Sequence, residues 1–115
     1  KEIRADDWWA KDHIPGRPMF PGALMIETAA QIASFDFATH RIDPAALGKR
    51  FVGFGGVDNA RFRGLVTPGC MMIFVVRVIR AGSRMFRYGV QAFTRRDGVI
   101  SKDCVFDAEI IGVIV

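Results

Sequence analysis

The chain has 115 residues, half of them apolar and 24% charged, with 12 glycines and 5 prolines. This is the composition of one globular domain spanning 1–115, and it excludes a disordered or collagen-like chain. The net charge of +4 draws acidic partners without choosing among nucleic acid, anionic lipid and acidic protein.

In chain order, residues 1–5 read as the end of a strand. Residues 12–22 hold Pro15, Gly16, Pro18, Pro21 and Gly22, which argues against both helix and central strand there. A helix is expected to begin near Pro21, since proline suits the first turn, and to run to about Thr39 before Asp43-Pro44 breaks it. Apolar residues from Leu24 to Phe37 cover nearly its whole circumference, the pattern of a helix buried on most sides. Glu27, Gln31 and Ser34 interrupt that pattern and share one stripe. After the helix the period changes, and 51–57, 60–63, 71–80, 85–96 and 99–113 read as strands. Asp97-Gly98 is a strong hairpin turn, and Pro68-Gly69 is another turn. In strand 71–80 the run Met71 to Val76 is apolar on both faces, as expected of a strand that meets the helix on one side and another subunit on the other. One buried helix against several antiparallel strands is an α+β layout, with the helix across the concave face of a curved sheet.

The longest unbroken apolar run, Met71 to Val76, is six residues, whereas a membrane-spanning helix needs about 20. No membrane association is expected. No secretory leader is read at the start of the chain. Cys70 and Cys104 form neither a CxxC motif nor a disulfide framework, so both are expected to be buried free thiols in a reducing, cytoplasmic compartment. Gly53-x-Gly55-Gly56 lacks the spacing and the following helix of a phosphate loop. There is no GxSxG, no HExxH and no zinc spacing, so no metal site is expected. Residues 84–88 hint only weakly at the basic and aromatic interleaving of a nucleic-acid surface, and no nucleic acid is expected as partner.

The residues able to do chemistry lie around the start of the helix. A carboxylate in an apolar helix must be paired, hydrogen-bonded or neutralised. Burial raises its pKa and makes it a general acid near neutral pH. Glu27 has no Lys or Arg within a turn, and Gln31 can hydrogen-bond to it; the alternative is that Glu27 reaches solvent at a helix edge. His13 stands in a rigid Pro/Gly loop, where a histidine near its reference pKa of ~6.5 is a good base; an ordinary surface histidine is the alternative. His40 reads as exposed near the helix end. The Gly22 N–H has no intrahelical partner and can polarise a carbonyl that gains negative charge, or Gly22 merely allows a tight turn.

The stretch from His13 to Gln31, HIPGRPMFPGALMIETAAQ, closely resembles the signature of 3-hydroxyacyl-[acyl-carrier-protein] dehydratases, the FabZ and FabA type hotdog enzymes. A second block, Phe54 to Arg63 with Val66 to Gly69, resembles the family's next segment. The two blocks cover about half the chain in order, and the 14-residue separation of His13 and Glu27 is kept. Ile14 stands where the family usually has Phe, and Cys70 where it commonly has an acidic residue. The family's N-terminal helix and first strand are missing from these residues.

The resemblance implies a hotdog fold, a curved antiparallel sheet wrapped around one long central helix, assembled as a homodimer or a trimer of dimers. It implies His13 and Glu27 as the catalytic pair, met from opposite subunits, with glutamate favouring the FabZ type. Gly22 would give its backbone N–H to the thioester carbonyl, the Met19 carbonyl would accept from the histidine ring, and Gln31 matches the family glutamine. The implied reaction is dehydration of a (3R)-hydroxyacyl thioester to the trans-2-enoyl thioester without cofactor, Glu27 being protonated through burial. Phe and Met side chains near the helix would line an acyl tunnel. The carrier would be acyl carrier protein, docked by the arginines, or coenzyme A. A hotdog acyl thioesterase and a non-catalytic acyl-binding subunit are the alternatives.

Overall fold

The computed structural model describes residues 1–12 and 16–115. Its framework follows from alternation. In β4 (Met85–Arg96) the buried residues are Phe86, Tyr88, Val90 and Ala92, and in β6 (Phe106–Ile114) they are Phe106, Ala108, Ile110, Gly112 and Ile114, two residues apart as a half-buried strand requires. Asp97 and Gly98 both have positive φ, the backbone of a tight hairpin turn, and β4 folds back there onto β5 (Val99–Ile100). With β1 (Glu2–Ile3), β2 (Val52–Phe62) and β3 (Cys70–Ala81) these strands form one antiparallel sheet in the order β1-β3-β4-β6-β2, β5 pairing β4 off that path.

Two short helices, α1 (Trp8–Asp12) and α3 (Pro44–Leu47), flank the long α2 (Gly22–Asp36). Asp43 caps α3 by accepting from the Ala45 N–H at 2.9 Å. α2 lies on the sheet, mainly against β6 and also against β2 and β3. The side chains it turns inward are small: Ala29, Ala30 and Ala33 are buried beside Met25. Small residues let the helix axis come close, and the sheet fills the remaining volume with Phe86, Tyr88 and Phe106. Phe37 stacks on Phe86 at 4.5 Å between centroids, and Phe86 meets Tyr88 edge-on at 5.5 Å. Each such side chain contributes about 1.5–3 kcal/mol through burial.

Several expectations need correction. The helix continues past α2 as a π-helical turn, Phe37–Arg41, so the helical path reaches slightly beyond Thr39. Residues 51–57 and 60–63 are one strand: β-bulges near Gly55 and Asn59 absorb the irregular stretch that reads as a break. Residues 99–113 are two strands, because 101–105 leave the ladder between β5 and β6. The apolar circumference of the helix does not mean burial all round, for Ala23, Glu27, Gln31 and Phe35 are exposed along one stripe. Both cysteines are free, Cys70 buried and Cys104 half-buried. No helix among the described residues is long and apolar enough to cross a membrane.

Candidate active site

The site is built from the start of α2. Pro21 is extended (φ −64°, ψ 139°), and its carbonyl accepts from the N–H groups of Leu24 and Met25 at 3.0 and 3.1 Å. The Gly22 N–H has no acceptor among the described residues and stands at the positive end of the helix. A Cβ at Gly22 would come 2.8 Å from the ring of the half-exposed Phe62, which would have to turn aside. The segment ahead of the helix is pinned: the Phe20 N–H donates to the Val66 carbonyl at 2.7 Å. The Arg96 guanidinium in turn holds the Thr67 and Pro68 carbonyls and the Thr67 hydroxyl.

Glu27 lies farther along α2, with Gln31 one turn beyond it. The Gln31 Nε2 donates to Glu27 Oε1 at 2.9 Å, the contact expected of the i, i+4 spacing. The pair is exposed. The burial expected to keep Glu27 protonated is therefore not supplied by its own protomer, because the helix turns its alanines, not this stripe, toward the sheet. His13, and with it the expected bond to the Met19 carbonyl, lies outside the described residues. His40 is exposed, as read.

Glu27 opens onto a concavity of about 240 Å³ between α1 and α2, whose wall includes Trp8, Trp9, Phe20, Leu24 and Thr28. Trp9 and Phe20 are buried and meet edge-on at 5.4 Å. The Lys1 ammonium sits 5.6 Å from the centre of the Phe20 ring, within cation–π range. This aromatic wall was not foreseen, since α1 is only 5 residues long and ends where the Pro/Gly loop begins. The available signal was the adjacent pair Trp8-Trp9, which a single helical turn divides between core and surface.

Two other polar groups are structural. On the outer face of the sheet, Arg87 pairs with Asp58 at 2.9 Å and Glu109 at 3.3 Å, and Arg63 pairs with Asp107. Such surface pairs contribute little, about 0–1 kcal/mol. At the far end of α2 the Tyr88 hydroxyl donates to Asp36, which also accepts from Arg41 at 3.2 Å. Burial, reinforced by Asp36, pushes the Tyr88 hydroxyl up to about 12, while the Tyr88 hydrogen bond holds the Asp36 carboxyl below its ordinary value.

Residues 1–108 match the family model of the FabA-like domain. The chain belongs to the FabA-like family. It is 33% identical over 110 residues to a protein of Erythrobacter litoralis named 3-hydroxyacyl-[acyl-carrier-protein] dehydratase FabZ, covering 96% of this chain and 70% of that one. A protein of the same name from Desulfotalea psychrophila is 32% identical over 112 residues, covering 96% and 69%. Among solved structures, a hexameric hotdog fold thioesterase of Campylobacter jejuni superposes with a TM-score of 0.69 at 18% identity, covering 100% of this chain and 79% of that one. A mutant acyl-CoA hydrolase of Staphylococcus aureus, in complex with coenzyme A, gives 0.73 at 15% identity, covering 100% and 61%. The fold is the hotdog fold, with the sheet curved around α2 as the resemblance implied.

Proposed function

We propose that this protein is a dehydratase that converts (3R)-hydroxyacyl thioesters to trans-2-enoyl thioesters. The observation that carries the reading is the family match over residues 1–108, in a chain whose Glu27 carboxylate stands at a concavity beside the start of α2. His13 takes the proton from C2, beside the thioester carbonyl. The Gly22 N–H donates to that carbonyl oxygen as negative charge gathers there, the helix N-terminus adding its field. Glu27 delivers a proton to the C3 hydroxyl, the C3–O bond breaks, and water leaves as C2=C3 forms. Gln31 holds one oxygen of Glu27 and so leaves the other to exchange the proton.

The exposed stripe of Glu27 and Gln31 fits a site completed by a second copy of the chain, in a homodimer or a trimer of dimers. Closure by that copy shields Glu27 and the reacting carbons from bulk water. The substrate carrier is acyl carrier protein or coenzyme A, and the excess of arginine gives an acidic carrier complementary charge. Two free thiols fit the reducing cytoplasm.

The test is turnover of 3-hydroxyacyl thioesters, followed by the absorbance of the enoyl product and by free-thiol release. Enoyl product without free thiol is expected; thiol release alone would identify a thioesterase. Glu27→Gln and His13→Ala should each lower kcat by about 10²–10⁴ with an unchanged circular dichroism spectrum. Near-normal rates in either variant would refute the role given to that residue.

A further inference from the structure

We propose that Arg96 is a positioning residue for the dehydration: from the end of β4 it fixes the backbone that enters α2, and so the aim of the Gly22 N–H at the thioester oxygen. The inference rests on the reading of Gly22 as the donor to that oxygen. Arg96 acts through the backbone, not on the substrate.

The approach to α2 has few attachments of its own. Pro18 and Pro21 have no N–H to donate. Among the described residues, the Phe20 N–H makes the one backbone hydrogen bond between 16–20 and another segment, to the Val66 carbonyl at 2.7 Å. Gly22 follows two residues later. Where Val66 sits therefore sets where the first turn of the helix begins.

Val66 lies in 63–69, which runs from β2 to β3 outside the ladders. The ties of its backbone are at its two ends: the Arg63 and Gly64 N–H groups donate to the Val105 carbonyl at 2.8 and 3.2 Å, and the Gly69 N–H donates to the Ile3 carbonyl at 2.9 Å. Between them the Arg96 guanidinium spans the turn, donating to the Pro68 carbonyl at 3.2 Å, the Thr67 carbonyl at 3.2 Å and the Thr67 hydroxyl at 2.8 Å. A Cβ on Gly69 would come 2.9 Å from Arg96 Nη1, so the guanidinium lies directly over the chain. The Cys70 thiol, donating to the Thr67 carbonyl at 3.3 Å, is the other side chain among the described residues that holds this stretch. A planar fork that takes two carbonyls fixes orientation as well as distance. An oxyanion donor needs that control, because a misplacement of about 1 Å can cost 10²-fold in rate.

The test compares kcat and KM for a 3-hydroxyacyl thioester in the wild type, Arg96→Ala and Arg96→Lys. Loss of an interaction made only in the transition state lowers kcat and leaves KM in place, so Arg96→Ala should lose about tenfold in kcat with KM within about twofold. Arg96→Lys should fall between, since an ammonium cannot span both carbonyls, and it carries the comparison if Arg96→Ala does not fold. The Arg96 side is exposed, so millimolar guanidinium ion should restore a large part of the Arg96→Ala rate, and sodium chloride at equal ionic strength should not. Gly22→Pro removes the N–H from a backbone that suits proline, Pro21 being extended. It should lower kcat by about 10²–10³, and adding Arg96→Ala should then cost less than about twofold more. If Gly22→Pro does not fold by circular dichroism, the kcat and KM comparison and the guanidinium rescue decide alone. A wild-type kcat in Arg96→Ala, a loss confined to KM or to urea stability, absence of rescue by guanidinium, or an undiminished loss on the Gly22→Pro background would each overturn the proposal. Failure of the underlying readings looks different. A folded Gly22→Pro with wild-type kcat removes the donor, a wild type that makes no enoyl product removes the reaction, and either takes the proposal with it.

Discussion

Replacing Gly112 by Ala tests the close packing beneath the helix. Gly112 in β6 faces Phe86 in β4 as a register pair, and the Phe86 ring lies so close that an added Cβ would overlap it. The ring cannot lift away, because Phe37 stacks on it at 4.5 Å, nor slide freely, because Tyr88 meets it edge-on at 5.5 Å. All three aromatics are fully buried. Overpacking in a well-filled core costs about 1–3 kcal/mol, and expelling a buried phenyl ring about 3–5 kcal/mol. With no soft neighbour to absorb the methyl, the expected destabilisation is about 3 kcal/mol, a large share of the roughly 5–15 kcal/mol that holds a domain folded. Urea unfolding followed by circular dichroism should show the midpoint falling with an unchanged slope, and the melting temperature should drop by roughly 12 °C. Phe86→Leu makes room for the methyl, so the double variant should be more stable than the sum of the two losses by about 1–2 kcal/mol. A Gly112→Ala protein within about 0.5 kcal/mol of wild type, or strict additivity with Phe86→Leu, would refute this account of the core.

The Tyr88–Asp36 contact predicts a pH dependence at both extremes. The Tyr88 hydroxyl is raised to about 12, so the stability it provides is complete below its ordinary value near 10 and is lost as the pH climbs through about 12. The wild type should lose about 2–3 kcal/mol across that window, and Tyr88→Phe should remove this component of the loss when unfolding is measured at each pH. Asp36 is lowered, so its contribution is present above its ordinary value and fades as the pH falls through the lowered one. Asp36→Asn should flatten the acid limb of the same curve. At the bulge in β2, Asn59 has φ +53°, which asparagine and glycine tolerate and β-branched residues do not. Asn59→Gly should lie within about 0.5 kcal/mol of wild type and Asn59→Val should cost about 1–3 kcal/mol, by the same urea measurement.

Much of this architecture is legible in the residues because local rules and tertiary packing agree. Strand 85–96 is legible with its observed ends, since Asp97-Gly98 supplies a turn whose geometry few other pairs adopt. The helix was legible from Pro21 onward because proline, glycine and a long apolar run point the same way. What failed to read depends on partners distant in sequence. The π-helical turn at Phe37–Arg41 coincides with the stacking of Phe37 on Phe86, 49 residues on, which no local propensity announces. The bulge at Asn59 carries β2 through a stretch whose Asp and Asn suggest a break, because β6 continues alongside. Of the site, the Glu27–Gln31 bond followed from spacing alone, whereas the exposure of that pair depends on which helix face the alanines choose.

The grip of Arg96 on Thr67 and Pro68 reaches farther than the hairpin it closes. The adjoining Val66 carbonyl holds the Phe20 N–H, and Phe20 forms part of the concavity beside Glu27. A relay of only a few bonds therefore ties the end of β4 to the segment that enters α2. Through it, loss of the Arg96 contacts would loosen the segment that carries Phe20, which is anchored by partners outside itself.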